Sequence, residues 1–221
     1  MTNPNLSKLG HSIHVTLTNR GGVGKSANAA SLIAYMRTHF DDQVYGYDTD
    51  ASNQTLMSRY KMLPVKKIDL MDGDNDAYVS PRKLDEFYSM AIETPGVHVI
   101  DNPDALFRPM LSYMGERGIP ELAEEHNTPF YVHCTIANVN GRANNCVESL
   151  ELMADRFSHT IKFVVWINEM QGVPEIDRVA VVDHPRFLAL AERIAGVVNV
   201  NAVADGVIDR TIFPQLDKVN W

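Results

Sequence analysis

Cysteine is scarce in this sequence, and its scarcity excludes two common ways of stabilising a fold. The 221 residues include two cysteines, Cys134 and Cys146, with no second pair and no histidine cluster beside them. Two isolated cysteines form neither a disulfide framework nor a zinc site. We therefore expect both to be ordinary thiols in a reducing compartment.

Long apolar runs are also missing. No stretch approaches the roughly 20 consecutive apolar residues that a membrane-spanning helix needs. The first residues, MTNPNLSKLGHS, lack the basic region followed by an apolar region that marks a secretory signal peptide. We therefore expect a cytoplasmic location, with association to the nucleoid if the protein contacts DNA.

An excess of positive charge is missing as well. The net charge of −8 argues against a broadly basic nucleic-acid binder, although a small basic patch or DNA contact formed on dimerisation is compatible with it. The sequence contains no internal repeat, low-complexity tract or linker-like stretch. It predicts one globular domain over residues 1–221, in which residues 1–12 form a flexible N-terminal segment.

Short apolar runs alternate with helix-like segments along the whole chain, and several runs are nearly continuous in apolar residues. This is typical of parallel strands that are buried on both faces, so we predict a doubly wound α/β fold with a mostly parallel sheet flanked by helices. The predicted strands are 13–18, 43–48, 96–101, 129–139, 161–168 and 197–203, with a further short strand within 66–72. The predicted helices are 25–39, 51–61, 81–92, 105–125, 142–157 and 186–195.

A glycine-rich turn, NRGGVGKS, separates the first strand from the first helix. Backbone N–H groups in such a turn, together with the helix N-terminus, make an anion site. Lys25 would reach the β- and γ-phosphates of a nucleotide, and the Ser26 hydroxyl would bind Mg²⁺. Gly21, Gly22 and Gly24 allow the backbone to approach the phosphates. The alternative is a glycine-rich turn with a chance GKS.

The turn departs from the ordinary phosphate-binding pattern G-x-x-x-x-G-K-[ST], because Asn19 stands where the first glycine belongs. It resembles instead the deviant Walker A motif, K-G-G-x-G-K-[ST], of the ParA/MinD family of ATPases. In that family the first lysine contacts phosphates bound in the partner subunit of a nucleotide-sandwich dimer. That position is Arg20 here, which keeps the charge but replaces a point charge by a planar fork. The nucleotide-binding set that the resemblance implies is Asn19, Arg20, Gly21, Gly22, Val23, Gly24, Lys25, Ser26 and Ala27.

A second motif, VYGYDTDASNQTL (44–56), resembles the family's strand that ends in D-x-D. The resemblance implies that Asp48 lies near the Mg²⁺ shell and that Asp50 orients the attacking water. Asp50 alternatively caps the following helix.

A third motif, GVHVIDNPDAL (96–106), resembles a Walker B strand followed by the family's D-x-P. A carboxylate at the carboxyl end of a buried strand lies where open α/β sheets bind ligands. Asp101 would hold Mg²⁺ through water. Its alternative role is that of an ordinary loop residue at a strand end.

A fourth motif, FVVWINEMQG (163–172), resembles the family strand whose terminal asparagine recognises adenine. Asn168 offers both a donor and an acceptor to the edge of the base. The alternative is an asparagine that only completes a turn.

The resemblance covers most of residues 13 to 170 and is strongest to the small plasmid StbB/TraL members, which are associated with plasmid stability and conjugative transfer. It implies an ATP-dependent homodimer and a slow Mg²⁺-dependent ATPase in which Lys25, Asp50 and Arg20 are catalytic, and whose activity the replacement of the signature lysine by Arg20 would weaken. It also implies a switch that acts in plasmid partition or transfer through a plasmid-encoded DNA-binding adaptor protein.

Two further surfaces bear on the partner. The densest basic cluster, RYKMLPVKK (59–67), contains Arg59, Lys61, Lys66 and Lys67 and would give weak non-specific DNA contact, although a solvated face is the commoner explanation. The C-terminal residues DRTIFPQLDKVNW are interrupted by a proline and carry acidic residues, so we expect no membrane binding.

Two other functions remain open from the sequence. One is a small-molecule kinase or synthetase with a P-loop fold, which would act without dimerising. The other is a nucleotide-binding interaction module that does not hydrolyse ATP. Turnover measured with and without DNA or partner separates these from the switch.

Overall fold

A seven-stranded parallel sheet forms the centre of the protein. The computed structural model describes residues 9–40, 43–50, 52–72, 75–157, 159–201 and 212–221. The strands of this sheet are β1 (Ser12–Thr16), β2 (Val44–Asp48), β3 (Val65–Lys67), β6 (Val97–Asp101), β7 (Phe130–Ala137), β8 (Lys162–Asn168) and β11 (Ile194–Val200). They lie in the order β11-β8-β7-β1-β6-β2-β3, and every neighbouring pair is parallel.

Two short antiparallel pairs accompany the main sheet, formed by β4 (Met71–Asp72) with β5 (Asn75–Val79), and by β9 (Glu175–Ile176) with β10 (Val179–Ala180). None of the described helices combines the length and apolarity needed to span a bilayer. The α-helices are α1 (Lys25–Phe40), α2 (Thr55–Arg59), α3 (Pro81–Glu93), α4 (Phe107–Arg117), α5 (Ile119–Glu125), α6 (Ala143–Arg156), α7 (Pro185–Leu188) and α8 (Phe213–Leu216).

Both faces of the main sheet are covered, which explains the continuous apolar runs in its strands. One core lies between the sheet and helices α3 to α6, and includes Phe87, Phe107 and Leu150. The other lies between the sheet, α1 and the C-terminal residues, and includes Tyr35 and Trp221. The predicted doubly wound α/β fold is confirmed.

The helix predicted over 105–125 is in fact two helices. Gly118, at φ 59°, ends α4 in the left-handed conformation, and α5 begins at the next residue. A left-handed residue at this position is how many helices end, and glycine adopts it without steric cost. The 3₁₀ turn Asp104–Leu106 precedes α4.

Two other predicted helices are also shorter in the structure. The prediction of a helix over 186–195 was wrong, because α7 ends at Leu188 and β11 begins at Ile194. The helix predicted over 51–61 is limited to Thr55–Arg59, and residue 51 lies outside the described residues.

The chain's N-terminal and C-terminal predictions fall partly outside the described residues. Of the predicted N-terminal segment, residues 1–8 lie outside them, whereas Leu9 is fully buried and Ser12 begins β1. Residues 202 and 203 of the predicted last strand also lie outside. The short strand predicted within 66–72 corresponds to the end of β3 and to β4.

A chain of hydrogen bonds joins buried rings beneath the C-terminal residues. The Trp166 indole N–H donates to His133 Nδ1 at 3.0 Å, and His133 Nε2 lies 3.0 Å from His14 Nδ1. His14 Nε2 lies 3.0 Å from the Ser12 hydroxyl, which donates to the Leu9 carbonyl. In this row of bonds each histidine accepts through one ring nitrogen and donates through the other. All the bonds can therefore form only when both histidines are neutral.

Acid should therefore weaken the fold well above the pH at which solvent-exposed carboxylates titrate. Burial lowers the pKa of His133 to about 3, and burial lowers the pKa of His14 well below its usual range. The unfolded chain binds these protons near pH 6.5 and the folded chain does not, so stability is lost as the pH falls below about 6.5. We expect each histidine to contribute about 1.4 kcal/mol per pH unit to the fall between pH 6 and 5.

The test is chemical denaturation at several pH values on wild type and on His133→Gln, whose amide can accept from Trp166 and donate to His14. Between pH 6 and 5, the free energy of unfolding of the variant should fall less steeply than that of wild type, by about 1.4 kcal/mol per pH unit. His126→Gln is the matched control, because His126 is exposed and lies outside this chain of bonds. An unchanged slope in His133→Gln would contradict the assignment.

Candidate functional site

The carboxyl ends of three neighbouring strands bring the predicted motifs together. Thr16 of β1 pairs in register with Asp101 of β6, and Asp48 of β2 pairs with Asp101 from the other side. The glycine-rich turn follows β1 directly and leads into α1. This edge of the sheet is where open α/β folds bind ligands.

The glycine-rich turn has the backbone of an anion-binding loop. Gly22 and Gly24 have φ values of 75° and 102°, a region that side-chain-bearing residues rarely adopt. The Lys25 ammonium group, 8% exposed as a residue, donates a hydrogen bond of 2.9 Å to the Arg20 carbonyl and so folds back over the loop. Burial lowers the pKa of Lys25, while Asp104 and Asp101 oppose this shift.

A cavity of about 440 Å³ lies over this loop, within the size range of small-molecule sites. Among the predicted site residues, the cavity brings together most of the loop, Asp50 and Asp101. Five predicted residues do not line the cavity: Asn19, Arg20, Val23, Asp48 and Asn168. The residues that line it are Gly21, Gly22, Gly24, Lys25, Ser26, Ala27, Asp50, Asn53, Thr55, Arg59, Tyr60, Asp101, Asn102, Pro103 and Asp104.

Asp101 is the buried carboxylate of this cavity, at 4% exposure. Burial raises the pKa of Asp101 to about 6, and hydrogen bonds from Ser26 and Thr16 act in the opposite direction. The Thr16 hydroxyl lies 2.9 Å from Asp101 Oδ1. A serine hydroxyl and a carboxylate at the base of a phosphate-binding loop are hard oxygen donors of the kind that Mg²⁺ prefers.

The donor set fits a cation that also binds phosphate. No group of three or more His, Cys, Asp and Glu side chains suited to a metal ion occurs in the described parts of the chain. Mg²⁺ commonly takes only one or two protein ligands and completes its shell with water and substrate phosphates. Ser26 and Asp101 meet that requirement beside the loop.

Asp48 holds the backbone that follows it. Its two carboxylate oxygens accept from the backbone N–H groups of Asp50 and Met57, each at 3.0 Å. Asp48 is fully buried, so these bonds also compensate its desolvation. The bond to Met57 ties α2 to the end of β2. Its predicted role near Mg²⁺ stays a prediction.

Asp50 faces the cavity, and one of its oxygens caps a turn. Asp50 Oδ1 accepts from the N–H groups of Ser52 and Asn53, each at 2.9 Å. The capped turn precedes α2, whose N-cap is Gln54 in the left-handed region at φ 45°. Asp50 thus closes the turn before α2 and does not cap the helix itself, which was the alternative to its catalytic role. Its position in the cavity lining keeps the catalytic role as a prediction.

Asn168 contacts the phosphate-binding loop from β8. Its Nδ2 donates to the Val23 carbonyl at 2.7 Å, and its Oδ1 accepts from Met170 N–H at 3.0 Å. The side chain therefore both supports the loop and completes a turn, and its second amide N–H has no hydrogen-bond partner among the described residues. Recognition of adenine by Asn168 stays a prediction.

Two polar atoms beside the loop are buried without a hydrogen-bond partner among the described residues: Asn19 Oδ1 and Arg20 Nε. The Asn19 backbone N–H reaches the Ser149 hydroxyl of α6 at 3.4 Å, so the start of the loop packs on that helix. The Arg20 charge lowers the pKa of Cys146, although burial raises it overall. Arg20 therefore lies between the loop and α6.

Sequence reasoning missed several residues of this site. Asn102 accepts from the Thr49 hydroxyl at 2.8 Å and donates to the Thr16 carbonyl at 3.1 Å, so it joins three strand ends. Asp104 lies so close to the loop that a methyl group on Gly21 would come within 3.2 Å of it. Their signal was their position directly after Asp101. Asn53, Thr55 and Tyr60 carried no signal of their own.

The parallel sheet, with its glycine-rich turn after β1, is similar to the fold of solved plasmid partition and MinD proteins. The chain is similar to a plasmid partition protein from Borrelia burgdorferi, with a TM-score of 0.52, 11% identity, and 94% and 96% of the two chains covered. It is also similar to the MinC:MinD cell division protein complex of Aquifex aeolicus, with a TM-score of 0.53, 13% identity, and 94% and 89% covered. At these identities the similarity shows the fold alone.

The similarity in sequence is to TraL proteins. Two Escherichia coli proteins named Protein TraL are each 27% identical to this chain. One alignment spans 204 residues, 92% of this chain and 82% of the relative, and the other spans 206 residues, 93% and 83%. No protein-family model matches the chain. The resemblance expected from the motifs, to the ParA/MinD proteins and in particular to TraL, is confirmed.

Gly24 should be intolerant of a side chain. A methyl group there would lie 2.8 Å from Asn168 Nδ2, and the φ of 102° adds backbone strain. We expect Gly24→Ala to lower the free energy of unfolding by about 1–3 kcal/mol. Gly10→Ala is the matched control, because a methyl group at Gly10 meets nothing within 4 Å.

Combining Gly24→Ala with Asn168→Ala separates the two causes in denaturation experiments. The double variant removes the steric contact and keeps the backbone strain, so it should be less destabilised than the sum of the single variants. Strict additivity would contradict a contact between the two positions.

Proposed function

We propose that this protein is an ATP-dependent switch. It binds Mg-ATP at the 440 Å³ cavity and dimerises in that state, and slow ATP hydrolysis then lets the dimer dissociate. The observation that carries the proposal is the joint lining of one cavity by the phosphate-binding loop, Asp50 and Asp101. These groups come from the ends of three adjacent strands. Phosphoryl transfer needs such positioning and charge compensation more than it needs covalent chemistry.

The loop side chains are suited to a triphosphate. Mg-ATP supplies the phosphoanhydride bond and the cation that shields its charge. Lys25 would exchange its bond with the Arg20 carbonyl for a phosphate oxygen, and its contact with the loop shows that it is already close. Ser26 and Asp101 would hold the cation, with Asp48 behind them. The free N–H of Asn168 would contact the base.

Asp50 would orient the attacking water. The N–H groups of Ser52 and Asn53 hold its carboxylate in one orientation, in which it faces the cavity. A carboxylate offers about four acceptor sites, so these two bonds leave capacity for a water. This supports a role in positioning the nucleophile.

Arg20 would contact a phosphate across the dimer. To reach it, the guanidinium would leave its place between the loop and α6, where its Nε is buried with no hydrogen-bond partner in the described residues, a costly state for a donor. Guanidinium binds phosphate through two parallel bonds where ammonium acts as a point charge. We therefore propose a dimer whose hydrolysis differs in rate from that of lysine-bearing relatives.

The biological role follows from the relatives. TraL similarity and the fold of a plasmid partition protein support action in plasmid partition, stability or conjugative transfer. MinD forms a complex with MinC, which supports a protein adaptor as the partner, here a plasmid-encoded DNA-binding protein. Such a partner places the activity in the cytoplasm beside DNA. The cluster Arg59, Lys61, Lys66 and Lys67 would add weak DNA contact.

The oligomeric state should depend on the nucleotide. We expect light scattering to show a monomer with Mg-ADP and a dimer with a slowly hydrolysed ATP analogue. Arg20→Ala should weaken the dimer at least about tenfold, because it removes a charge-assisted contact. Arg37→Ala, at an exposed position of α1, is the matched control. A monomer in both nucleotides would exclude the sandwich and favour the kinase.

Turnover should separate binding from chemistry. Asp50→Asn keeps the oxygen that accepts from Ser52 and Asn53, so we expect nucleotide affinity to stay unchanged and kcat to fall about 100-fold. Lys25→Ala should instead abolish nucleotide binding. Asp69→Asn, an exposed carboxylate, is the control. Equal turnover in wild type and Asp50→Asn would remove Asp50 from the mechanism.

A further inference from the structure

A second cavity lies at the C-terminal end of α2. Its volume is about 430 Å³, and residues of α1 and of the segment 59–63 line it. Met62 at its border is 90% exposed, more than any other large apolar side chain described. We name this cavity the α2 groove; its lining residues are Ala30, Ser31, Ala34, Arg59, Tyr60, Lys61, Met62 and Leu63.

The α2 groove is basic in an acidic protein. Arg59 and Lys61 line it, and its lining contains no acidic residue. Lys66 and Lys67 are exposed on the adjacent edge strand β3. The whole chain carries a net charge of −8, so this is a local reversal of sign. Its complement is therefore a ligand that is both apolar and negatively charged.

The α2 groove and the nucleotide cavity share a wall. Arg59 and Tyr60, at the C-terminal end of α2, line both cavities. The helix is held to the nucleotide side by the bond from Met57 N–H to Asp48. A displacement of α2 would thus change both cavities together.

We propose that the α2 groove docks an acidic, amphipathic segment of a protein partner, and that nucleotide binding changes its affinity through α2. An inserted apolar side chain would contact Met62 and Leu63 while carboxylates pair with Arg59 and Lys61. DNA has the charge but gains nothing from a concave apolar surface. The docking rests on the groove alone, whereas its nucleotide dependence rests on the proposed function.

A selection experiment reads out the chemistry of the occupant. Random 16-residue peptides displayed on phage are selected on the wild-type protein and counter-selected on Met62→Glu. We expect the surviving pool to be enriched in Asp and Glu together with Leu, Ile and Phe. A pool enriched in basic residues, or no pool that distinguishes the two proteins, would overturn the proposal.

The affinity of a selected peptide then tests the named contacts by fluorescence anisotropy. Met62→Gln and Lys61→Ala should each weaken binding about tenfold, as interface anchors do. Leu188→Gln and Arg82→Ala are matched controls, because both residues are exposed and lie outside the groove. A labelled 30-base-pair DNA duplex and anionic vesicles are measured alongside. DNA or vesicle binding that depends on Lys61 without peptide binding would overturn the proposal.

Repeating the peptide titration without nucleotide, with Mg-ADP and with the ATP analogue tests the coupling. We expect at least a fivefold difference between the two nucleotides. Equal affinities in a protein that binds both nucleotides would overturn the coupling. Failure to bind either nucleotide would instead contradict the proposed function, while the titration without nucleotide still tests the docking.

Discussion

A carboxylate buried beneath the phosphate-binding loop is the constraint on which the arrangement of the site depends. Asp101 lies at the end of β6, and a charge there is tolerated only if hydrogen bonds or a cation compensate its lost hydration. Thr16 and Ser26 supply hydrogen bonds from the two ends of the loop. The buried charge therefore joins the end of β1 to the start of α1. It favours positive charge nearby, which Lys25 supplies and the proposed divalent cation would add.

The sequence was sufficient for the features that depend on local chemistry. The strands were visible because residues buried on both faces of a parallel sheet form continuous apolar runs. The loop was visible because the glycines, Lys25 and Ser26 must occur in a fixed order between a strand and a helix. Asp101 was predicted because it is the carboxylate that ends a buried apolar strand. Asn102 was not predicted, because its bonds to Thr16 and Thr49 form only when β1, β2 and β6 pair in register. Asp104 was not predicted either, because its proximity to Gly21 depends on how the turn after β6 meets the loop.

The errors lie where tertiary contacts decide between conformations. Residues 186–195 carry apolar side chains at helical spacing, yet β11 begins at Ile194 because six of its residues pair with the edge of β8. The helix predicted over 51–61 is confined to five residues by the turn that Asp50 caps and by the left-handed Gln54. Gly118 did give a local signal, because glycine commonly ends a helix in this way.

The shortness of α2 is what makes coupling between the two cavities physically reasonable. A helix of five residues has almost no intrinsic stability, so its position is set by its contacts. These include the bond from Met57 N–H to Asp48, while Arg59 and Tyr60 at its C-terminal end line both the proposed nucleotide cavity and the α2 groove. If a ligand in one cavity shifts α2 to a position that strengthens binding in the other cavity, a ligand in that second cavity strengthens binding of the first by the same factor, because coupling between two sites is reciprocal. Coupling energies of about 1–3 kcal/mol are typical and correspond to roughly 5- to 150-fold changes in affinity. A change of that size is enough for nucleotide state to decide whether a partner stays bound.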